Sequence, residues 1–588
     1  SGFNADRYIA TNGQTSSSGV IKAFDDELDF IIPVGVGTRY TPITIDFSEA
    51  PDVWGSITFK PIADFHPAIE DENYALEYYW SLTSSGFTLG NATVDLSFKY
   101  DPLDLGSSVD PENLIPAVFR STWILGSTDK VDEINSLISF EGETTITGSY
   151  TTGDNSGSPF GELTKYYSRA TGSWFDPNTW SNTSHAGAPS STIPDFGSEV
   201  IIAIGHTVTV DANNASSSFI QINSSGTLDV GSTTGHNFGV MQGATFGTLR
   251  IGSSVFPGGD FTPLLNQGTV VYYHISSDYT IPTSSISKPS IVSYHHLIFE
   301  VLSSESNPFI AFPDAAISVS GNLNIYGNST NHQVRFGNGS NSELSVAGNL
   351  IVNSGSLRFR FDGNGNRNLN VTGNITIAES ASISNIGSTD MTHEIILSGN
   401  LTNNGEINLG ASSARHIKLT FTGAANRIYS GNGSNTLTVI EIDKGDSQGS
   451  KLTVSNSGTF NINDSGVILT NGTLELNRGG TFVLSNTASA FSIPSTASLL
   501  VNHEDAIIRI GYVDDNAADL SLFGKLEITE GLVEIGNPAN NSANDIVYAS
   551  TGAPEINLTG GVLKVNGQIR RSSSSVNGSL RFRLSGNG

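Results

Sequence analysis

Val319-Ser320-Gly321-Asn322-Leu323-Asn324-Ile325 recurs as Val346-Ala347-Gly348-Asn349-Leu350-Ile351-Val352, as Val371-Thr372-Gly373-Asn374-Ile375-Thr376-Ile377, and as Leu397-Ser398-Gly399-Asn400-Leu401. The glycines stand 27, 25 and 26 residues apart. That period suits one coil of a parallel β-helix, three short strands joined by three turns. No helical segment fits within it, which sets leucine-rich and ankyrin-type solenoids aside. Alternate side chains of each strand point inward and must stack on their equivalents one coil above and below. One coil buries almost nothing, whereas a stack builds a continuous core of Leu, Ile, Val and Phe. Glycine is expected where a turn needs positive φ. Asn322, Asn349, Asn374 and Asn400 either form an amide ladder from coil to coil or merely tolerate the turn beside glycine. Looser copies follow at Thr473-Leu474-Glu475-Leu476, Gly531-Leu532-Val533-Glu534-Ile535 and Gly561-Val562-Leu563-Lys564-Val565.

Toward the N-terminus the repeat gives way to separated alternating strands. Ile43-Thr44-Ile45-Asp46-Phe47, Ile57-Thr58-Phe59-Lys60, Val94-Asp95-Leu96-Ser97-Phe98 and Thr145-Ile146-Thr147 each show period two. With Trp54, Trp80 and Trp123 as aromatic anchors, around seven such strands predict a two-sheet, immunoglobulin-like sandwich over 1–165. Glu70-Asp71-Glu72-Asn73 reads as a loop. Residues 166–195, with Trp174-Phe175-Asp176-Pro177-Asn178-Thr179-Trp180, read as a cap or linker covering the first coil. A right-handed parallel β-helix of coils of ~25 residues is expected over 196–588. Gly355-Ser356-Leu357-Arg358-Phe359-Arg360-Phe361 reappears as Gly578-Ser579-Leu580-Arg581-Phe582-Arg583-Leu584. The first copy runs on into another coil, so further coils are expected beyond Gly588.

Composition agrees with an all-β chain. Of 588 residues 14 % are charged, against about 25 % in an ordinary soluble domain, and Gly, Ser, Thr and Asn fill the difference. There is no cysteine, which removes disulfides, thiolate metal sites and thiol nucleophiles. The net charge of −28 argues against nucleic acid and anionic membranes as partners. Residues 1–165 carry −17 of it, which supports a boundary near 165. No run of 18 apolar residues is present, so no membrane-inserted helix is expected.

Phe30-Ile31-Ile32-Pro33-Val34-Gly35 followed by Tyr40-Thr41-Pro42-Ile43 resembles the FPVG-type module of large exported proteins of the Bacteroidota. Tyr78-Tyr79-Trp80-Ser81-Leu82 and the segment from Gly172 to Trp180 match its continuation, and Trp174 to Val230 is similar to the eight-glycine domain that opens some surface β-helices. The resemblance covers most of the chain. It implies type IX secretion, a place at the surface of a Gram-negative cell, and a structural or adhesive role, as in adhesins, surface filaments and gliding proteins. It implies the export or gliding machinery as partner but no substrate; a surface polysaccharide or another surface protein stays open as ligand. The other readings are a carbohydrate-binding or polysaccharide-degrading β-helix and a passive cargo of the export machinery.

Catalysis on a β-helix needs clustered carboxylates, or carboxylates holding calcium beside a basic residue. Glu343, Asp362, Glu379, Asp390, Glu394 and Glu406 are scattered through the repeats, and Asp514-Asp515 reads as a solvated turn. His295-His296 are strand neighbours that cannot chelate one metal together, and Gly363-Asn364-Gly365 lacks the context of a phosphate loop. No catalytic or cofactor-binding residue is therefore assigned, and a non-enzymatic protein is expected. Calcium stays open: Asp25-Asp26-Glu27 with Asp29, and Asp101, Asp104 and Asp110, offer hard oxygens but read first as solvated loops. Arg358 and Arg360 alternate with Phe359 and Phe361, so the arginines are expected outside, as a sugar- or phosphate-reading strip or as plain solvated charge.

Overall fold

The computed structural model describes residues 4–585 except 17–18, 91, 121–122, 127–129, 196, 242–246, 289, 338–341, 363–364, 413, 486–489, 514–517, 541, 550–551 and 575–577. Half of the chain is strand and 5 % helix. No helix among the described residues is long and apolar enough to cross a membrane. The chain forms two compact units. One comprises Ser1–Ile251, Val255–Gly268 and Ser284–Ile291, and the other Gly252–Ser254, Thr269–Thr283 and Val292–Gly588.

In the first unit the alternating strands pair as two antiparallel sheets. A six-stranded sheet runs in the order Trp123–Leu125, Leu114–Phe119, Gly148–Asp154, Tyr79–Ser85, Ser56–Ile62, Val20–Ala23. A five-stranded sheet runs Val131–Asp132, Leu137–Glu143, Val94–Lys99, Ile43–Phe47, Asp29–Ile32. Their inward residues meet in one core, with Ile57, Phe59, Trp80, Leu82 and Tyr150 from the first sheet against Ile45, Val94, Leu96, Phe98 and Ile138 from the second. The arrangement is that of a sandwich. Thr145-Ile146-Thr147 departs from expectation, lying between strands instead of in one. The Arg120 guanidinium donates to the carbonyls of Thr145 and Thr147 and so takes acceptors that a ladder would use, while Ile146 is still buried.

The compact units do not follow the charge break at 165, because the same unit contains the first coils. Thr164–Ser168 pairs in parallel with Ser198–Ile202, and Gly172–Ser173 with Thr207–Thr209. The segment expected as a cap therefore supplies a rung itself. Trp174 and Trp180 are fully buried, with rings 5.3 Å apart and Trp180 Nε1 donating to the Trp174 carbonyl at 2.8 Å. Here the register advances by only 20 or 21 residues per coil, as from Val200 to Ile220 to Met241.

The second unit is a parallel β-solenoid of longer coils. Leu297, Leu323, Leu350, Ile375 and Leu401 lie in register on one wall, as the repeat requires. A second wall runs through Phe309–Ala311, Gln333–Arg335, Gly355–Phe361 and Ala381–Gly387. A third runs through Ile317–Val319, Ser342–Val346, Arg367–Val371, Thr392–Leu397 and Arg415–Phe421.

The repeated glycines have another cause than the one expected. Gly321, Gly348, Gly373 and Gly399 are not among the residues with positive φ. An added Cβ at Gly348, Gly373 or Gly399 would lie 2.3, 2.2 or 1.9 Å from the carbonyl oxygen of the glycine one coil below. Glycine is required because the turns stack backbone on backbone. Asn322, Asn349, Asn374 and Asn400 do form a ladder, though not of amide on amide alone. Each side-chain oxygen accepts the backbone N–H one coil up, from Asn349, Asn374, Asn400 and Ile428 at 2.8–2.9 Å.

Two further equivalences are corrected by the register. Thr473–Leu476 joins the Leu323 wall, but Gly531–Ile535 and Gly561–Val565 belong to another ladder, pairing from Ala506–Ile510. There Gly531 and Gly561 do have positive φ, +80° and +64°. Gly355–Phe361 pairs within the second wall, whereas Arg581–Leu584 pairs with Glu555–Leu558, so the two similar segments lie on different walls.

Candidate functional site

On the second wall period two turns Leu357, Phe359 and Phe361 inward, all fully buried, and leaves Arg358 and Arg360 half-buried outside. The register sets Arg335 directly against Arg358 on neighbouring coils. Adjacent strands are about 4.8 Å apart, and like charges directly opposite each other are destabilising. Beneath this column Phe312, Phe336 and Phe359 stack inside, with centroids 5.7 and 4.6 Å apart. The Arg335 guanidinium lies 3.9 Å over the Phe309 ring, and its Nε donates to Gln333 at 2.6 Å. Arg358 donates from Nε to Ser356 Oγ at 3.2 Å and from Nη2 to the Thr330 carbonyl at 3.0 Å. Arg360 holds Asp362 with two bonds of 2.8 Å. Burial, and then the charge of Arg360, lower the proton affinity of Arg335. Arg335 escaped the sequence reading, although Val334-Arg335-Phe336 has the pattern of Leu357-Arg358-Phe359.

Below this strip His274, Asp278 and Glu305 bring one ligand atom each within 4.8 Å of one another. Nε2 of buried His274 is 3.2 Å from Asp278, whose same oxygen accepts the Phe309 N–H at 2.7 Å. Asp25, Asp26 and Glu27 also converge, and Lys22 holds Glu27 at 2.9 Å. The other expected acidic set is dispersed into separate tasks. Asp101 and Asp110 cap the short turns Pro102–Asp104 and Pro111–Asn113, while buried Asp104 pairs with Arg39 at 2.8 Å. Burial pushes the Asp104 carboxyl up to about 6 despite that arginine. Asp514, Asp515, Gly363 and Asn364 lie outside the described residues.

Carboxylates elsewhere on the walls serve the stack. Lys418 bridges Glu394 and Glu441 at 2.8 and 2.9 Å, and Lys451 reaches Glu475 at 2.8 Å. Glu441 is not singled out by the sequence pattern, and Glu475 enters it only as part of a looser copy of the repeat. His296 Nδ1 accepts the Asn322 N–H at 2.9 Å, and His295 meets Ser320 at 3.0 Å, so both histidines tie neighbouring coils. Inside the walls lie groups no reading had placed there. Arg367 is fully buried and donates to the Gly337 carbonyl at 2.7 Å. His393 accepts the Arg367 N–H at Nδ1, 3.1 Å, and donates from Nε2 to the Arg360 carbonyl at 2.8 Å, and burial pushes its pKa down to about 4. Burial likewise brings the Lys444 ammonium down to about 8, its Nζ donating to the Thr422 carbonyl at 2.8 Å.

In the first unit a cleft of ≈ 480 Å³ is lined by Lys130, Glu141, Glu143, Asp260, Thr262 and Lys288 among others. Its two lysines are held within the lining, Lys130 by Glu141 at 2.8 Å and Lys288 by the Thr262 hydroxyl at 2.6 Å. No known protein family, no curated protein and no solved structure matches the chain.

Proposed function

We propose that this chain is a structural and adhesive segment of a large secreted surface protein, its solenoid a stiff spacer and its sandwich a joint or recognition module. The observation that carries the reading is where the polar groups go. Asparagine, histidine, lysine and glutamate side chains on the walls bond mainly from coil to coil, as Asn322 through Asn400 and Lys418 do. Such bonds stiffen a stack and leave its chemistry occupied. The resemblance of Phe30–Gly35 and Gly172–Trp180 to modules of Bacteroidota surface proteins supports export by the type IX route and a place on the cell exterior.

Beads coated with the chain and held under flow on polysaccharide-coated glass test the reading. Adhesion above that of beads carrying an unrelated β-protein is expected, with no new reducing ends in the polysaccharide. Release of reducing ends would replace the spacer with a polysaccharide-degrading enzyme. Equal detachment on every surface would leave only a passive cargo.

A further inference from the structure

We propose that the outward guanidinium column of Arg335 and Arg358, with Arg360 beside it, is a binding strip for the repeated oxyanion groups of an acidic polysaccharide. The inference rests on the adhesive reading and names its ligand.

The strip breaks the charge pattern of the other walls. Lys418 sits between Glu394 and Glu441, Arg509 and Lys564 flank Glu534, and Arg570 reaches Asp519 and Asp545. Arg335 and Arg358 instead stand opposite each other in register, and among the described residues neither has a carboxylate within ion-pair distance. This occurs in a chain of net charge −28, where carboxylates outnumber cations two to one. Asp278 and Asp362 act on Arg335, and Glu406 on Arg358, only at longer range, and Asp362 is already held by Arg360.

The arginines are also oriented in advance. Phe309 and Gln333 fix one guanidinium plane, and Ser356 with the Thr330 carbonyl fixes the other. Both terminal nitrogens of Arg335 and Nη1 of Arg358 keep free donors among the described residues. A planar fork matches carboxylate or sulfate oxygens with two parallel bonds, which an ammonium cannot do. One fork on each of two neighbouring coils favours a linear polymer with a charge on successive units over a single small anion, because the second contact then forms at high effective concentration. Nucleic acid offers the same charge and meets the same negative field, so single-stranded DNA bound as tightly as the acidic polysaccharides would overturn the assignment of the polymer.

Calorimetry at low salt with oligogalacturonate, dextran sulfate and neutral dextran tests the strip on the full chain. An acidic polymer is expected to bind and neutral dextran not to bind. R335Q/R358Q should weaken binding about tenfold or more, and R570Q should leave it unchanged. Preference for galacturonate marks carboxylate as the recognised group, and preference for dextran sulfate marks sulfate. The double variant should unfold close to the wild-type temperature, since relief of the opposed like charges offsets the lost Arg358 hydrogen bonds and the lost Arg335 contact with Phe309. If it does not fold, R335K/R358K keeps charge without the forks and should still lose binding severalfold. Undiminished binding by the variants would overturn the strip and leave the adhesive reading standing. Absence of binding to both acidic polymers would also overturn the strip, and with equal bead detachment on all surfaces the adhesive reading would fall too.

Discussion

At the scale of single residues, close approach governs more than conformation does. Gly373→Ala places a methyl group 2.2 Å from the Gly348 carbonyl oxygen and should destabilise by about 1–3 kcal/mol in urea unfolding. Gly449→Ala, with only Ser447 Oγ nearby at 3.6 Å, should be close to neutral. Asn349→Ala leaves the Asn374 N–H without its acceptor and should cost about 0.5–1.5 kcal/mol, while Asn349→Asp, which keeps an oxygen there, should cost less. His393 supplies a pH dependence. Its folded pKa of about 4 lies below the 6.5 of an exposed imidazole, so on acidification the unfolded chain takes up the proton first. Its contribution is complete above pH 6.5 and declines toward pH 4, by about 3 kcal/mol in all. Urea midpoints across that range for wild type and His393→Leu should differ in slope, and parallel profiles would remove His393 as the cause.

At the scale of strands and coils, the buried polar groups specify register. Asn403 occupies an inward position in register with Ile377. It donates to Asn435 at 2.8 Å, Asn435 donates to Asn456 at 3.0 Å, and the Tyr429 hydroxyl donates to Asn435 as well. Asn435→Leu strips partners from three buried groups at once and should cost about 2–4 kcal/mol, well above a surface asparagine replacement, in thermal or urea unfolding. The repeat wall and the sandwich strands were legible because their alternation is regular over several residues. Arg367 and His393 were not, although each sits two residues before an inward aliphatic, Leu369 and Ile395. Parity placed them inside, and charge argued for the outside. The carbonyls that accept from them, at Gly337 and on the strand at Arg360, stand 30 and 33 residues away in the chain, where no local pattern reveals them. Thr145–Thr147 failed for the converse reason, as its alternation is real but Arg120 holds its backbone. The guanidinium strip was half legible, since parity sends Arg358 outward while only the 23-residue register brings Arg335 to it.

At the scale of the whole chain, stability should follow from contacts between neighbouring coils. Deleting residues 348–372 joins Ala347 to Gly373 and puts Val346 in the place of Val371, opposite Leu397 of the next coil. The shortened chain should keep a β-type circular dichroism spectrum and cooperative unfolding. A deletion one residue shorter turns the inward set outward through the next strand and should aggregate. This tolerance follows from the glycine column. A turn whose glycine rests on the glycine beneath can be seated on any other turn of the same kind, so every splice between two such points is a legal one. Gene segments encoding these turns can be copied, lost or exchanged by unequal recombination without spoiling the product. Length in this lineage is thus free to drift by whole coils, and relatives of the chain should differ in steps of 25 to 27 residues.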